Sequence, residues 1–303
     1  MTDRQPISPA RITQPMIDLY DRFTHIGGSR RDLMAGMAKL AGGMAAAAVL
    51  VPLIEARAEA ASLTSERDDR IATQRISYAG PGGTAMVGYL AQPTQATERG
   101  AKVMVIHENR GLTEHIRDVT RRLALSGFVA LAPDFLTPLG ETPRTGDGTN
   151  SADDIARELV GRLDRGTTVA NAVASLDFLD SYDHGRGVPA AIGFCWGGGQ
   201  VNQLAIAAGG KLRAGVAYYG PAPADTGEVG RIKAKLLLHY AGLDDRVNAG
   251  AAAWQAALKG AGVRVEAYTY AGVNHAFNND TSTARYDAEA ARLAWQRTLD
   301  WLR

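Results

Sequence analysis

The only cysteine of the 303-residue chain, Cys195, sits in Gly193-Phe194-Cys195-Trp196-Gly197, directly after the apolar run AAIGF (190–194). Glycines two places on either side of a central nucleophile mark a sharp strand-to-helix turn. The middle residue of such a turn takes a strained backbone conformation, and side chains at the flanking positions would collide across it. The turn lifts the middle side chain above the sheet and sets it at a helix N-terminus, where the dipole lowers the cost of a thiolate. The amide of Trp196 then points to where an oxyanion would form. The chemistry implied is attack by sulfur on a carbonyl carbon. The plainer alternative is a glycine-rich turn that serves close packing, with Cys195 as an inert apolar filler.

A sulfur nucleophile of this kind needs a base, and the base needs a carboxylate to orient it. Downstream, the run KLLLHY (235–240) leads into Ala241-Gly242-Leu243-Asp244-Asp245-Arg246-Val247, and YTYAGVNHAF places His275 in a loop after a last strand. Asp244 is preferred as the orienting acid because it lies three residues before an apolar valine; Asp245 is the competitor. The other histidines fit the base less well. His25 lies in a candidate export leader, His115 at the surface-facing start of a helix, and His184 in a polar loop. His239 is inside an apolar strand, and His107 ends a strand at the right level, where it shapes the pocket. Beside it, Glu108 would be desolvated and close to the thiol, unless an ion pair with Arg110 or Arg117 takes it. The amide of Asn109 is the expected second oxyanion donor.

Apolar strands alternating with amphipathic helices must hold these residues. RISYAG and AMVGYLAQP alternate in polarity around PGG and read as an antiparallel hairpin. KVMVIH (102–107), FVALAP, AAIGF, AGVAYY, KLLLHY and RVEAYTYAG read as buried strands. Between them, TEHIRDVTRRLALSG puts Ile116, Val119 and Leu123 on one face, with Thr113 to start the helix and Gly127 to end it. Further helical stretches lie near 151–163, 166–182, 198–208 and 248–261, and one closes the chain. This pattern predicts an α/β domain with a mostly parallel central sheet and helices on both faces, its functional residues at the carboxyl ends of the strands.

The chain has 33 basic and 32 acidic residues, a balance that calls for no nucleic acid and no anionic partner. A single cysteine excludes an internal disulfide. Residues 1–60 differ from the domain expected over 61–303. Arg30-Arg31 precede the mildly apolar AGMAKLAGGMAAAAVLVPLI, and small residues at Ala56, Ala58 and Ala60 offer A-x-A cleavage sites. This is the layout of a twin-arginine export signal, which would place the protein in the periplasm or outside the cell by way of the twin-arginine machinery. A retained N-terminal helix on a cytoplasmic protein is the alternative. Membrane contact would come only through residues 33–54, if they stay on the chain.

The segments HENRGL, GFVALAPD, GFCWGGG, AGLDDRV and GVNHAF, in this order over roughly residues 70–303, resemble the dienelactone hydrolase family, an α/β-hydrolase branch with a Cys-Asp-His triad. The resemblance implies Cys195 as nucleophile, His275 as base, Asp244 as its orienter and Glu108 as a partner that holds or activates the thiol. It implies a carboxymethylenebutenolidase-like hydrolase of small activated esters or lactones, with no metal or cofactor. Family members that cleave dienelactone hold its carboxylate with arginines, for which Arg110 and Arg144 are the candidates here. Two readings from other classes are a single-cysteine protein oxidised by peroxide and a binding protein on a hydrolase scaffold.

Overall fold

The computed structural model describes residues 12–55, 63–95, 100–148 and 150–303. Three helices come first: α1 (Gln14–His25), α2 (Arg30–Ala41) and α3 (Met44–Ile54). The larger domain then runs β1 (Ile71–Ala79), β2 (Ala85–Pro93), β3 (Ala101–Ile106), α4 (Glu114–Leu125), β4 (Val129–Pro133), α5 (Ala152–Gly161), α6 (Arg165–Ser181), β5 (Arg186–Phe194), α7 (Trp196–Ala208), β6 (Ala214–Tyr218), β7 (Lys235–Ala241), α8 (Asp245–Asn248), α9 (Ala251–Gly260), β8 (Val265–Tyr270) and α10 (Ala288–Leu302). The strands form one eight-stranded sheet in the order β1-β2-β4-β3-β5-β6-β7-β8. The hairpin β1–β2 is antiparallel, as is its junction with β4; every other pairing, from β4 through β3 to β8, is parallel.

Alternation along the central strands splits the core in two, because successive side chains of a strand face opposite sides of the sheet. Val103 and Val105 of β3 join Ile116, Val119 and Leu123 of α4 and Ala294 and Trp301 of α10 on one side. Met104 and Ile106 join Leu176 and Leu179 of α6, Val201 and Leu204 of α7, and Trp254 and Leu258 of α9 on the other. Both faces of β3 are therefore dry, which explains its unbroken apolar run. Thr113 does stand at the N-terminal boundary of α4, although its side chain makes no capping bond, and the helix ends at Ser126, one residue before the left-handed Gly127.

One expectation about α4 is corrected. His115 does not face solvent: it is buried, with Nδ1 3.3 Å from Asp280 and its ring edge-on to Phe194. The loop after β8, which carries Asp280, folds over the first turn of α4.

The N-terminal helices have an apolar core of their own. Met16, Tyr20 and Phe23 of α1 pack with Leu33 and Met37 of α2 and Leu50, Val51 and Ile54 of α3. The apolar stretch over residues 33–54 is not one helix. It bends by 109° between α2 and α3, and among the described residues no single helix is long and apolar enough to cross a membrane. The break falls at Gly42 and Gly43, whose positive φ values of 80° and 142° suit glycine. Ser29 caps α2 in a reciprocal capping box with Asp32, so the arginine pair forms the first turn of a well-started helix. The unit is tied to the larger domain by the Ser282 hydroxyl donating to the Ile54 carbonyl (2.9 Å) and by an ion pair from Arg30 to Asp154, while Arg30 also pairs with Glu55 inside the unit. The A-x-A positions Ala56, Ala58 and Ala60 lie outside the described residues.

Candidate active site

Cys195 stands between β5 and α7 with φ 56° and ψ −117°, a strained conformation for a residue with a side chain. Its amide donates to the Tyr218 carbonyl (3.0 Å), and its carbonyl accepts the first helical bond of α7 from Gly199 (3.2 Å). The flanking glycines are required sterically. A Cβ on Gly193 would lie 2.1 Å from the Gly197 carbonyl oxygen, and one on Gly197 would lie 2.3 Å from the Ile106 carbonyl oxygen. Trp196 is the first residue of α7, so its amide belongs to the helix-terminal donors that have no intrahelical partner.

Asp244 follows β7 and caps α8, its Oδ1 accepting from the Val247 amide (3.2 Å). Its other oxygen accepts from His275 Nδ1 at 2.5 Å, while Asp245 is exposed. Of the two aspartates, Asp244 is the one the fold brings against His275. Burial works to raise the Asp244 pKa, but the His275 charge and hydrogen bond, with help from Arg246, hold it below the usual carboxylate range. His275 shows the mirror effect. Burial opposes its charged form, yet Asp244 first and then the Cys195 sulfur push it up to about 10. The Cys195 sulfur and one ring nitrogen each of His275 and His25 lie within 4.8 Å of one another. A cysteine sulfur and two imidazole nitrogens are a donor set that zinc accepts.

Glu108 borders the same small cavity as Cys195, and Asn279 Nδ2 donates to its Oε2 (3.0 Å). Asn109 is beside it, its side chain donating to the Thr24 carbonyl of α1 (3.0 Å). Arg110 also reaches this cavity, where it pairs with Asp153 (3.2 Å) and donates to the Tyr20 hydroxyl. Arg144 does not: it lines a separate, open cavity of about 1310 Å³ whose wall Arg110 and Tyr20 share. His107 is fully buried and not a base. Its Nε2 accepts from the Phe135 amide (3.2 Å), and its ring stacks on Trp196. His239 is held in the core by Thr298 and the Tyr270 hydroxyl, as its strand position implied.

Three residues at the thiol escaped the sequence reading. Tyr219, just after β6, has a buried hydroxyl with no hydrogen-bond partner and a ring 4.9 Å from that of His275. Arg285 borders the cavity from the loop before α10. His25, at the end of α1, brings its Nδ1 to 3.9 Å from the Cys195 sulfur. The signal for His25 was present in the sequence: Met16, Ile17, Tyr20, Phe23 and Thr24 form a helical stripe that ends beside it.

A mostly parallel sheet with helices on both faces, a strained cysteine after β5, an aspartate after β7 and a histidine after β8 define an α/β-hydrolase. Comparison with known proteins narrows this. The profile of the dienelactone hydrolase family matches residues 86–303, and the chain belongs to that family. A provisionally named carboxymethylenebutenolidase of Escherichia coli O157:H7 is 31% identical over 258 residues, which span 80% of this chain and 91% of that protein. One from Salmonella typhi is 32% identical over 233 residues, 72% of this chain and 83% of the relative. Among solved structures, a provisionally named dienelactone hydrolase from Klebsiella pneumoniae is similar with a TM-score of 0.67 and 27% identity, covering 77% of this chain and 98% of that one. The protein is an ester or lactone hydrolase.

Proposed function

We propose that the protein cleaves small activated esters or lactones through a thioester on Cys195. The observation that carries this reading is the 2.5 Å Asp244–His275 pair set beside a cysteine strained at the head of α7. His275 takes the Cys195 proton and remains charged against Asp244. The thiolate attacks the carbonyl carbon, and the amides of Trp196 and Asn109 receive the oxyanion. Collapse expels an alkoxide or enolate, which takes the proton from His275 as it leaves, and the acyl group stays on sulfur. Water, giving its proton to His275, then attacks the thioester, and the carboxylic acid departs as the sulfur recovers its charge. Sulfur is the better leaving group of an amide-derived tetrahedral intermediate, so enol esters and lactones suit the site and amides do not. Of the two candidate arginines, Arg110 would meet a substrate carboxylate, because it borders the cavity at the thiol, as Arg285 also does, whereas Arg144 lines the other cavity.

The pKa pattern assigns the two half-reactions different pH behaviour. In the free enzyme the sulfur's charge helps to raise His275 to about 10. Acylation removes that charge, so His275 loses its proton more easily in the thioester and becomes a base for water. The acyl-enzyme should therefore accumulate at mildly acidic pH and drain faster as pH rises. Intact-mass measurement after mixing with p-nitrophenyl acetate is expected to show one acetyl group, mapped to Cys195, with less of it at higher pH. An acetyl group on another residue, or none at any pH, would sink the thioester.

For residues 1–60 we favour the retained extension over the cleaved export leader. Supporting this are the buried core shared by α1, α2 and α3 and their contacts with the catalytic loops. A protein whose intact mass in cells begins after residue 60 would restore the export reading.

A further inference from the structure

The helix that precedes the arginine pair reaches the thiol. Gln14 Nε2 donates to Asn274 Oδ1 (2.6 Å), Arg285 Nη1 donates to Asp21 Oδ1 (3.1 Å), Arg110 donates to the Tyr20 hydroxyl, and Asn109 Nδ2 donates to the Thr24 carbonyl (3.0 Å). Each partner belongs to a loop that carries or borders the proposed catalytic groups. These contacts bring His25 against the sulfur, its ring edge-on to His275 with centroids 4.6 Å apart. Burial, and then the positive charges of His275, Arg246, Arg285 and Arg110, hold the His25 imidazole well below its ordinary value, so it is neutral.

No substrate fits this arrangement. The cavity bounded by His25, Cys195, His275 and Glu108 measures about 20 Å³, close to the ~10–15 Å³ that one water needs. A carbonyl carbon poised for attack must sit about 3–3.5 Å from the sulfur, and His25 fills that ground. The thiol is also shared between two imidazoles. It contacts His25 Nδ1 at 3.9 Å, and it lies within 4.8 Å of a His275 ring nitrogen, whose charged form it favours. Moving His25 aside leaves the sulfur to His275 alone. The helical unit can move as a body: its internal core is apolar, whereas its contacts with the site loops are mostly polar ones that water can replace, with Ala284 packed against the core as an apolar exception.

We propose that His25 is a specificity-determining gate, carried on a lid formed by α1, α2 and α3, which fills the acyl position beside Cys195 and must withdraw before substrate enters. Acyl size is then limited by how far the lid opens. The proposal rests on Cys195 as the nucleophile, but its test need not. Alkylation of Cys195 by iodoacetamide in the full-length protein reports access without turnover, and p-nitrophenyl acetate against p-nitrophenyl octanoate reports size selection.

His25→Ala is expected to be alkylated about tenfold faster and to raise the octanoate-to-acetate ratio of kcat/KM by a similar factor, the scale of a small volume change in a pocket. His25→Gln, which refills the space, should stay close to the parent in both. Gln14→Ala loosens the far end of the lid without touching the thiol and should also speed alkylation. Unchanged alkylation in both His25→Ala and Gln14→Ala overturns the gate. So does an equal loss of activity on both esters in His25→Ala, which would make His25 a catalytic donor. Failure of the nucleophile reading is a separate result: Cys195→Ala would keep its turnover while the alkylation of parent and His25→Ala still reported on the lid.

Discussion

Cys195→Ala is expected to lower kcat for p-nitrophenyl acetate by a factor on the order of 10⁵ to 10⁶, the scale on which removal of a triad nucleophile acts. The substitution deletes one sulfur atom from a residue that is 5% exposed, and so should leave the fold and the Asp244–His275 pair in place. The residual rate would come from the amides of Trp196 and Asn109 polarising a bound carbonyl, and from His275 delivering water directly. Cys195→Ser is the sharper comparison. The hydroxyl restores a nucleophilic atom with nearly the same geometry, but an alcohol gives up its proton far less readily than a thiol. The charge that the sulfur contributes to raising His275 would then be missing, and its pKa should fall from about 10. The serine variant is therefore expected to recover only a small part of the activity and to show an imidazole titration, followed by NMR, at lower pH than the parent. Turnover in Cys195→Ala within tenfold of the parent would transfer the chemistry to another residue.

The parts of this site that could be read in the sequence are those fixed by local geometry. Gly193 and Gly197 announce the elbow because their backbones pass within atomic contact of each other, a constraint that acts over four residues. The sheet was legible for the same reason: β3 is apolar on both faces because both faces are covered, and β1 and β2 alternate around a Pro-Gly-Gly turn. Long-range placements were less visible. Asp244 and Asp245 are adjacent and chemically equal in sequence; only the turn of α8, which points one carboxylate at His275 and the other at water, separates them. His115 looked solvent-facing because its own helix is polar there, and the covering Asp280 is far along the chain. His25 is the largest miss. The stripe of α1 marks a buried helix face, but an arginine pair followed by alanines carries one compositional message for a leader and for two short packed helices alike, so the sequence does not say what that face packs against. Arg144 was a candidate carboxylate ligand through the family resemblance, with no local motif to fix its position; its loop directs it into the larger cavity.

Gly197→Ala should be among the most damaging single methyl groups in the catalytic domain. The added Cβ would stand 2.3 Å from the Ile106 carbonyl oxygen and 2.5 Å from that of His107. Both are backbone atoms at the end of β3, where no rotamer change relieves the clash. The strand is anchored by its parallel pairing to β5 and by a core on each face, so the give must come from the loop that follows it. That loop carries Glu108 and the Asn109 amide. Overpacking of this kind costs about 3 kcal/mol or more, which for a domain of this size lowers Tm by roughly 6–12 °C. The displaced Asn109 donor adds a loss of about 100- to 1,000-fold in kcat among molecules that still fold. Gly161→Ala is the matching control. It lies at the end of α5 with nothing within 4 Å of its added Cβ, and without a positive φ. There the methyl group mainly restricts the unfolded chain and should stabilise the protein by about 0.4–1 kcal/mol. Thermal melts and ester turnover of the two variants separate crowding at the elbow from any general intolerance of alanine. A Gly197→Ala protein that melts with the parent and turns over at its rate would show that β3 and the elbow do not press on each other, and with that the strained presentation of Cys195 would lose its physical cause.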